Sequence, residues 1–150
     1  MTINPHLVWH PAISLPSGPK DPAIKDISTE PGVYVFFRQH GRKVQVFYVG
    51  KAKRLQGRIR GQLNNHALMT AIATAKNGTR KIVWADLRLR PGQKEAEALR
   101  AAERLMIRHY VEQNQPIHNI QGKRLPTQKL TNTLAKGLKH FVPASVVVDA

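Results

Sequence analysis

PGVYVFFRQHGRKVQVFYVGKAKRLQGRI, residues 31–59, is the stretch from which the fold can be read. Val33, Val35 and Phe37 alternate with Tyr34, Phe36 and Arg38. Val44, Val46 and Tyr48 alternate with Gln45, Phe47 and Val49, and the polar run His40-Gly41-Arg42 lies between the two sets. Two period-two runs joined by a short glycine-bearing turn predict a β-hairpin. A pairing whose residue numbers sum to 82, with the reverse centred on Gly41, sets Tyr34 opposite Tyr48 on one surface. From Lys53 to about His66, Leu55, Ile59 and Leu63 recur every four residues, as on one face of a helix. Gly57 and Gly61 weaken that helix by about 1 kcal/mol each.

Working outward, Ala67 to Ala75 continues as alanine-rich helix, which Asn77-Gly78 stops by tolerating positive φ. Val83, Ala85, Leu87 and Leu89 alternate as a third strand that ends at Pro91-Gly92. Gln93 to about Gln113 is the longest helix, rich in Ala, Glu, Leu and Arg, with Pro116 just beyond it. The order ββ, helix, β, helix predicts a small α/β domain over residues 31–121, with a three-stranded, mainly antiparallel sheet flanked by helices. Six of the ten prolines lie at or before Pro31, so residues 1–30 read as an irregular arm. Its Leu7, Val8, Trp9, Ile13 and Leu15 are too many for a free linker and place it across the domain. Residues 122–150 form a basic tail in which Leu130, Leu134, Leu138 and Phe141 predict one short helix.

The chain has 150 residues, enough for one core, and no cysteine, which excludes disulfides and any Cys-ligated zinc. Lys and Arg number 24 against 9 Asp and Glu, a net charge of +15. Between Glu30 and Asp86 there is no acidic residue, while eleven Lys and Arg side chains fall there. This charge points to a polyanionic partner, nucleic acid first, because each phosphate contact releases condensed counterions. No apolar run approaches the length of a membrane span, and the N-terminal residues resemble no signal peptide, so a cytoplasmic protein without membrane contact is expected. The seven histidines form no metal-ligand spacing, and Trp9 and Trp84 read as packing residues.

One residue stands out on the long helix. Steps of three and four give Ala96, Leu99, Glu103, Met106, Ile107 and Tyr110, so a carboxylate stands in the stripe that should face the core. Burying it costs several kcal/mol unless it is paired or holds a cation. From this helix alone, a salt bridge to one of the arginines is the first reading; a cation is the other.

The segments Pro31-Gly32-Val33-Tyr34 and Tyr48-Val49-Gly50-Lys51-Ala52-Lys53-Arg54-Leu55-Gln56-Gly57-Arg58-Ile59 together resemble the signature of GIY-YIG nucleases. The run Gly50-Lys51-Ala52-Lys53 is most similar to the nuclease domain of the bacterial excision-repair C subunit. The order of parts agrees as well: an arginine on the next helix, a third strand, then a glutamate-bearing helix followed by Pro116-Ile117-His118-Asn119. The resemblance implies that Tyr34 and Tyr48 line the site, Gly50 grants close approach, Lys51 and Arg58 contact phosphate, Glu103 holds one divalent metal, and Asn119 orders the site. Two departures stand beside it. Asn119 lies about one helical turn further from Glu103 than in the repair enzyme, and Gln62 stands where homing and restriction branches often carry a histidine.

Phosphodiester hydrolysis needs a nucleophilic water, a cation at the phosphoryl oxygens and a stabilised leaving oxygen. One glutamate without a second carboxylate suits a single Mg²⁺ or Mn²⁺ rather than a two-metal site. Arg58 offers phosphate a planar fork and Lys51 a point charge; Lys53, Arg54, Lys123 and Arg124 add phosphate contacts. Either tyrosine serves as base if its phenolate is stabilised, and the sequence does not choose. The expected function is a metal-dependent endonuclease of DNA, with RNA as a lesser substrate and a monomeric state. Its rival is a nucleic-acid-binding protein that keeps the scaffold without cleaving.

Overall fold

The computed structural model describes residues 4–74, 77–113, 115, 128–135, 137–138 and 141–148. In chain order they form β1 (His6–Trp9), β2 (Ile13–Ser14), a 3₁₀ turn (Pro22–Asp26), β3 (Gly32–His40), β4 (Lys43–Ala52), α1 (Leu55–Gln62) and α2 (His66–Thr74). β5 (Thr79–Arg88), α3 (Glu95–Glu112), β6 (Gln128–Thr133) and β7 (Ser145–Val148) follow. The hairpin, the third strand and the long helix fall where the periodicities place them, whereas the helix read as continuous from Lys53 onward is broken at residues 63–65 into α1 and α2. Gly41, with φ 61°, opens the two-residue hairpin turn. Asn77 and Gly78, with φ 66° and 87°, reverse the chain into β5.

The sheet is larger than expected. Among the described residues it has seven strands rather than three, in the order β4-β3-β5-β1-β6-β7, with β2 beside β5. It is mixed, because β1 pairs antiparallel with β5 but parallel with β6. The stretch read as an irregular arm supplies β1 and β2. Pro5 and Pro11 flank β1 rather than interrupt it, and Leu7 and Trp9 alternate into the core between them. The tail helix expected from Leu130 to Phe141 is replaced at its start by β6. β1 offers an open edge there, and the β-branched Thr131 and Thr133 suit the pleated surface that covers it. Trp9 Nε1 donates to Asn132 Oδ1 at 2.9 Å, which locks β6 onto β1.

The register of the hairpin also differs from the expected one. Phe36 pairs with Tyr48 but Phe37 pairs with Val46, so Phe47 is an extra residue in β4. This β-bulge changes which side each β4 residue faces. Val46 and Val49 both join the core under α3, whereas Phe47 and Tyr48 both face α1 and α2. Tyr34 is therefore opposite Gly50, and Tyr48 is its diagonal neighbour on the same face.

Two cores result. α3 packs on one side of the sheet through Leu99, Ala102, Leu105, Met106 and Tyr110, joined by Leu138, Phe141 and Val142. On the other side α1, α2 and the 3₁₀ turn cover Tyr34, Phe36, Ile82 and Trp84. Among the described residues no helix is long and apolar enough to cross a membrane. β3 and β5 run so close at Gly32 that an added Cβ would overlap the Ala85 carbonyl oxygen. Gly32→Ala is expected to cost about 1–3 kcal/mol of stability, read as a lower urea midpoint at unchanged m-value. A midpoint equal to that of the wild type would show that the strand pair has room to spare.

Candidate active site

β4 carries Tyr48, Gly50 and Lys51 to the point where the sheet edge meets the start of α1 and the middle of α3. The ring of Tyr34 fills the space over Gly50, and any Cβ at that position would overlap it. Tyr34 and Tyr48 stack with centroids 6.1 Å apart and planes 21° apart, and Phe36 meets both rings edge-on. The two phenols live in different surroundings. Tyr34 is buried, and its Oη accepts from Gln62 Nε2 at 2.8 Å. Burial pushes its pKa far above the ordinary phenol value, beyond what that hydrogen bond and the Arg58 charge offset. Tyr48 is only partly buried.

Gln62 thus acts as a clamp on Tyr34. Its Oε1 accepts from Asn65 Nδ2 at 3.1 Å, and Asn65 Oδ1 accepts from the Leu68 N–H at 3.1 Å in the first turn of α2. The sequence reading did not mark Asn65 for this. Its only sequence signal is a capping residue ahead of an apolar helix.

Glu103 is 5% exposed, as its place in the apolar stripe of α3 demands. Its partner is a lysine from β4 rather than one of the arginines: Lys51 Nζ lies 3.7 Å from Glu103 Oε1. That distance is an ion pair without a hydrogen bond. Among the described residues, Oε1 has no hydrogen-bond partner. Burial raises the Glu103 pKa, and Lys51 opposes the rise.

Beside this pair a cleft of about 930 Å³ opens between α1 and α3. Lys51, Lys53, Arg54, Arg58 and Arg100 line it, together with Gln62 and Asn65, and no acidic side chain does. The structure thus brings Tyr34, Tyr48 and Gly50 together on the α1 side of β4, pairs Lys51 of the same strand with Glu103 of α3, and sets Lys53, Arg54 and Arg58 with Lys51 along the adjoining cleft. Arg100 was not marked by the sequence reading, because it sits on the solvent side of α3 and only the approach of α1 turns that side into a wall. Asn119, Lys123 and Arg124 lie outside the described residues. Among the described residues no three His, Cys, Asp or Glu side chains gather as a metal cluster.

Residues 30–120 match the UvrC-like GIY-YIG domain. A stretch of 38 residues, 25% of the chain, is 58% identical to the UvrABC system protein C of Kocuria rhizophila and spans 5% of that protein's length. No solved structure matches the chain. With the hairpin, the paired tyrosines and the buried glutamate all falling inside the matched span, the chain belongs to the UvrC-like GIY-YIG family.

Proposed function

We propose that this chain is a divalent-metal-dependent endonuclease that hydrolyses phosphodiester bonds of DNA at a single-metal site. The observation that carries the reading is the buried Glu103 carboxylate, whose Oε1 has Lys51 Nζ at 3.7 Å but no hydrogen-bond partner among the described residues, beside a cleft lined by five cations and no carboxylate. An ionised oxygen of that kind is costly unless a cation completes it. Its all-oxygen chemistry fits one Mg²⁺ or Mn²⁺ that keeps most of its waters. When bound, such an ion supplies positive charge at the phosphoryl oxygens and lowers the pKa of a coordinated water.

The chain's own groups would divide the remaining work. The Arg58 guanidinium and Lys51 ammonium hold the phosphate and offset charge that grows on its oxygens. Lys53 and Arg54 fix neighbouring phosphates. Tyr34, buried and shifted upward, stays a phenol and braces the stack over Gly50. This leaves Tyr48 Oη to take the proton of the attacking water. Asn119, Lys123 and Arg124 retain the ordering and phosphate-binding roles that the resemblance and their charge imply. The proposal takes residues 31–121 as the nuclease unit and places the protein, as a monomer, in the cytoplasm.

The test offers single-stranded, duplex and branched DNA, with RNA as a comparison, to the wild type and to Glu103→Ala, each with Mg²⁺, with Mn²⁺ and with chelator. Cleavage of DNA by the wild type alone, abolished by chelator, is expected. Cutting that resists chelator, or that survives in Glu103→Ala, would refute the site. The Lys51 contact at 3.7 Å by itself favours one rival, a structural ion pair in a protein that binds nucleic acid without cutting it. Tight binding of all substrates with no product in any condition would establish that rival instead.

A further inference from the structure

Arg100, Arg104 and Arg108 follow one another at four-residue steps, so they stand on a single face of α3. Arg100 is exposed and lines the cleft, and Arg104 and Arg108 are half-buried further along the helix. The ordinary explanation of such a row is a solvated helix face, on which the cations would be neutralised by carboxylates three or four residues away. Glu97 and Glu103 stand three residues from Arg100, and Glu112 stands four from Arg108. Among the described residues none of them forms an ion pair with the three guanidiniums, although the Arg104 charge acts on the buried Glu103 from a distance. Arg104 Nε and Arg108 Nη1 are moreover enclosed by protein with no hydrogen-bond partner among the described residues. Those two N–H groups face protein and are out of a ligand's reach, but the rest of Arg104 and Arg108 stays partly exposed in line with Arg100, and planar guanidiniums in such a row suit a ligand rich in acceptors.

We propose that Arg100, Arg104 and Arg108 form a phosphate track on the outer face of α3, which carries one nucleic-acid strand out of the cleft. The track rests on the reading of the cleft as a nucleic-acid site and adds the path the strand takes. Its length suits the ligand. Eight residues of helix span about 12 Å, the rise of about three nucleotides of one strand. Its direction is fixed at one end, because Arg100 belongs both to the row and to the cleft wall that faces Arg58. The contacts are to phosphate, so the track adds affinity without sequence choice.

The experiment measures binding rather than cleavage. Fluorescein-labelled 20-nucleotide single strands and duplexes are titrated in chelator over a series of salt concentrations. The proteins are the wild type, the triple variant Arg100→Gln/Arg104→Gln/Arg108→Gln, which keeps most of each stem, and the arm control Lys20→Ala/Lys25→Ala. The triple variant is expected to raise Kd about 10- to 100-fold at moderate salt. It should also flatten the plot of log Kd against log salt by about two to three units, at 0.7–0.9 per phosphate contact. Arg100→Lys/Arg104→Lys/Arg108→Lys should restore most of the slope, and the arm control should change it by less than about half a unit. An unchanged slope in the glutamine variant, or an equal loss per charge in the arm control, would overturn the track. If the triple glutamine variant does not fold, the same slopes are read from the three single substitutions, each expected to remove about one unit. A wild type that binds with this slope and never cuts keeps the track and removes the nuclease. One that cuts while its variants bind unchanged keeps the nuclease and removes the track.

Discussion

Glu103→Gln is expected to lower cleavage by about 10³-fold or more and, at the same time, to raise the melting temperature of the metal-free protein at pH 8. The first effect follows from the charge. A glutamine fills the same volume but cannot hold a divalent ion as a carboxylate does, and several kcal/mol of charge stabilisation at the phosphoryl oxygens are lost with it. The second effect follows from burial. The folded protein raises the Glu103 pKa above its ordinary 4.5, desolvation being the largest cause and Lys51 opposing it. The folded state therefore holds the proton more tightly than the unfolded chain. The favourable contribution of that proton is complete below about pH 4.5 and is lost as pH rises through the folded-state value. At pH 8 the wild type bears the cost of an ionised, buried carboxylate, and the glutamine variant does not. Lys51, 42% exposed, is resolvated at little cost when its partner is neutralised.

Thermal melts at several pH values check the sign. In chelator the variant should gain on the wild type as pH rises from 4.5 to 8. Added Mg²⁺ should raise the wild-type melting temperature through its affinity for the folded state and leave the variant unmoved. Equal Mg²⁺ shifts in both proteins, or full cleavage by the variant, would remove Glu103 from the metal site. Loss of activity together with gained stability is the signature of a functional strain rather than of a structural salt bridge.

How far the sequence reaches is clear from which interactions are local. β3, β4, β5 and α3 are legible because each is long enough for its own period to repeat, and Asn77-Gly78 and Gly41 mark turns by a conformation few other residues accept. The hairpin register is not legible. Alternation is blind to an extra residue, and Phe47 is placed only by the demand that both Val46 and Val49 reach the core under α3. β6 is hidden for another reason. Its one leucine and two threonines fit helix or strand equally, and the choice is made by the open edge of β1, more than a hundred residues earlier in the chain. β1 itself is four residues between two prolines, too short to show a period.

The site divides along the same line. A carboxylate in an apolar stripe announces itself, because its cost is set by its own helix. Its partner does not, since Lys51 belongs to a strand whose approach depends on how α3 lies across the sheet. Arg100 escapes notice because a helix pattern assigns it to solvent, and only α1 makes that side the wall of a cleft. The two tyrosines are equal in the sequence and unequal in the fold, since Gln62 and burial act on one of them alone.

That inequality gives the second large effect. Tyr48→Phe is expected to lower the single-turnover cleavage rate at saturating enzyme and metal by about 10²- to 10⁴-fold, the usual contribution of a positioned base. The melting temperature should change little, because Tyr48 is only partly buried and Phe keeps the 6.1 Å stack on Tyr34. Tyr34→Phe should show the opposite division. Removing its hydroxyl leaves the buried Gln62 Nε2 without its acceptor at 2.8 Å, which costs about 1–3 kcal/mol. The ring over Gly50 remains, so the cleavage rate should fall far less than in Tyr48→Phe. The double variant Tyr34→Phe/Gln62→Leu takes away the stranded donor together with its acceptor and should recover most of the lost stability. Rates and melts of the three variants settle the assignment together. If Tyr34→Phe loses as much rate as Tyr48→Phe at an unchanged melting temperature, the proton passes through Tyr34 and the role given to Tyr48 is wrong. If neither phenol matters to the rate, the water is activated without a tyrosine base, and the stacked pair serves only to shape the surface that ends in Gly50.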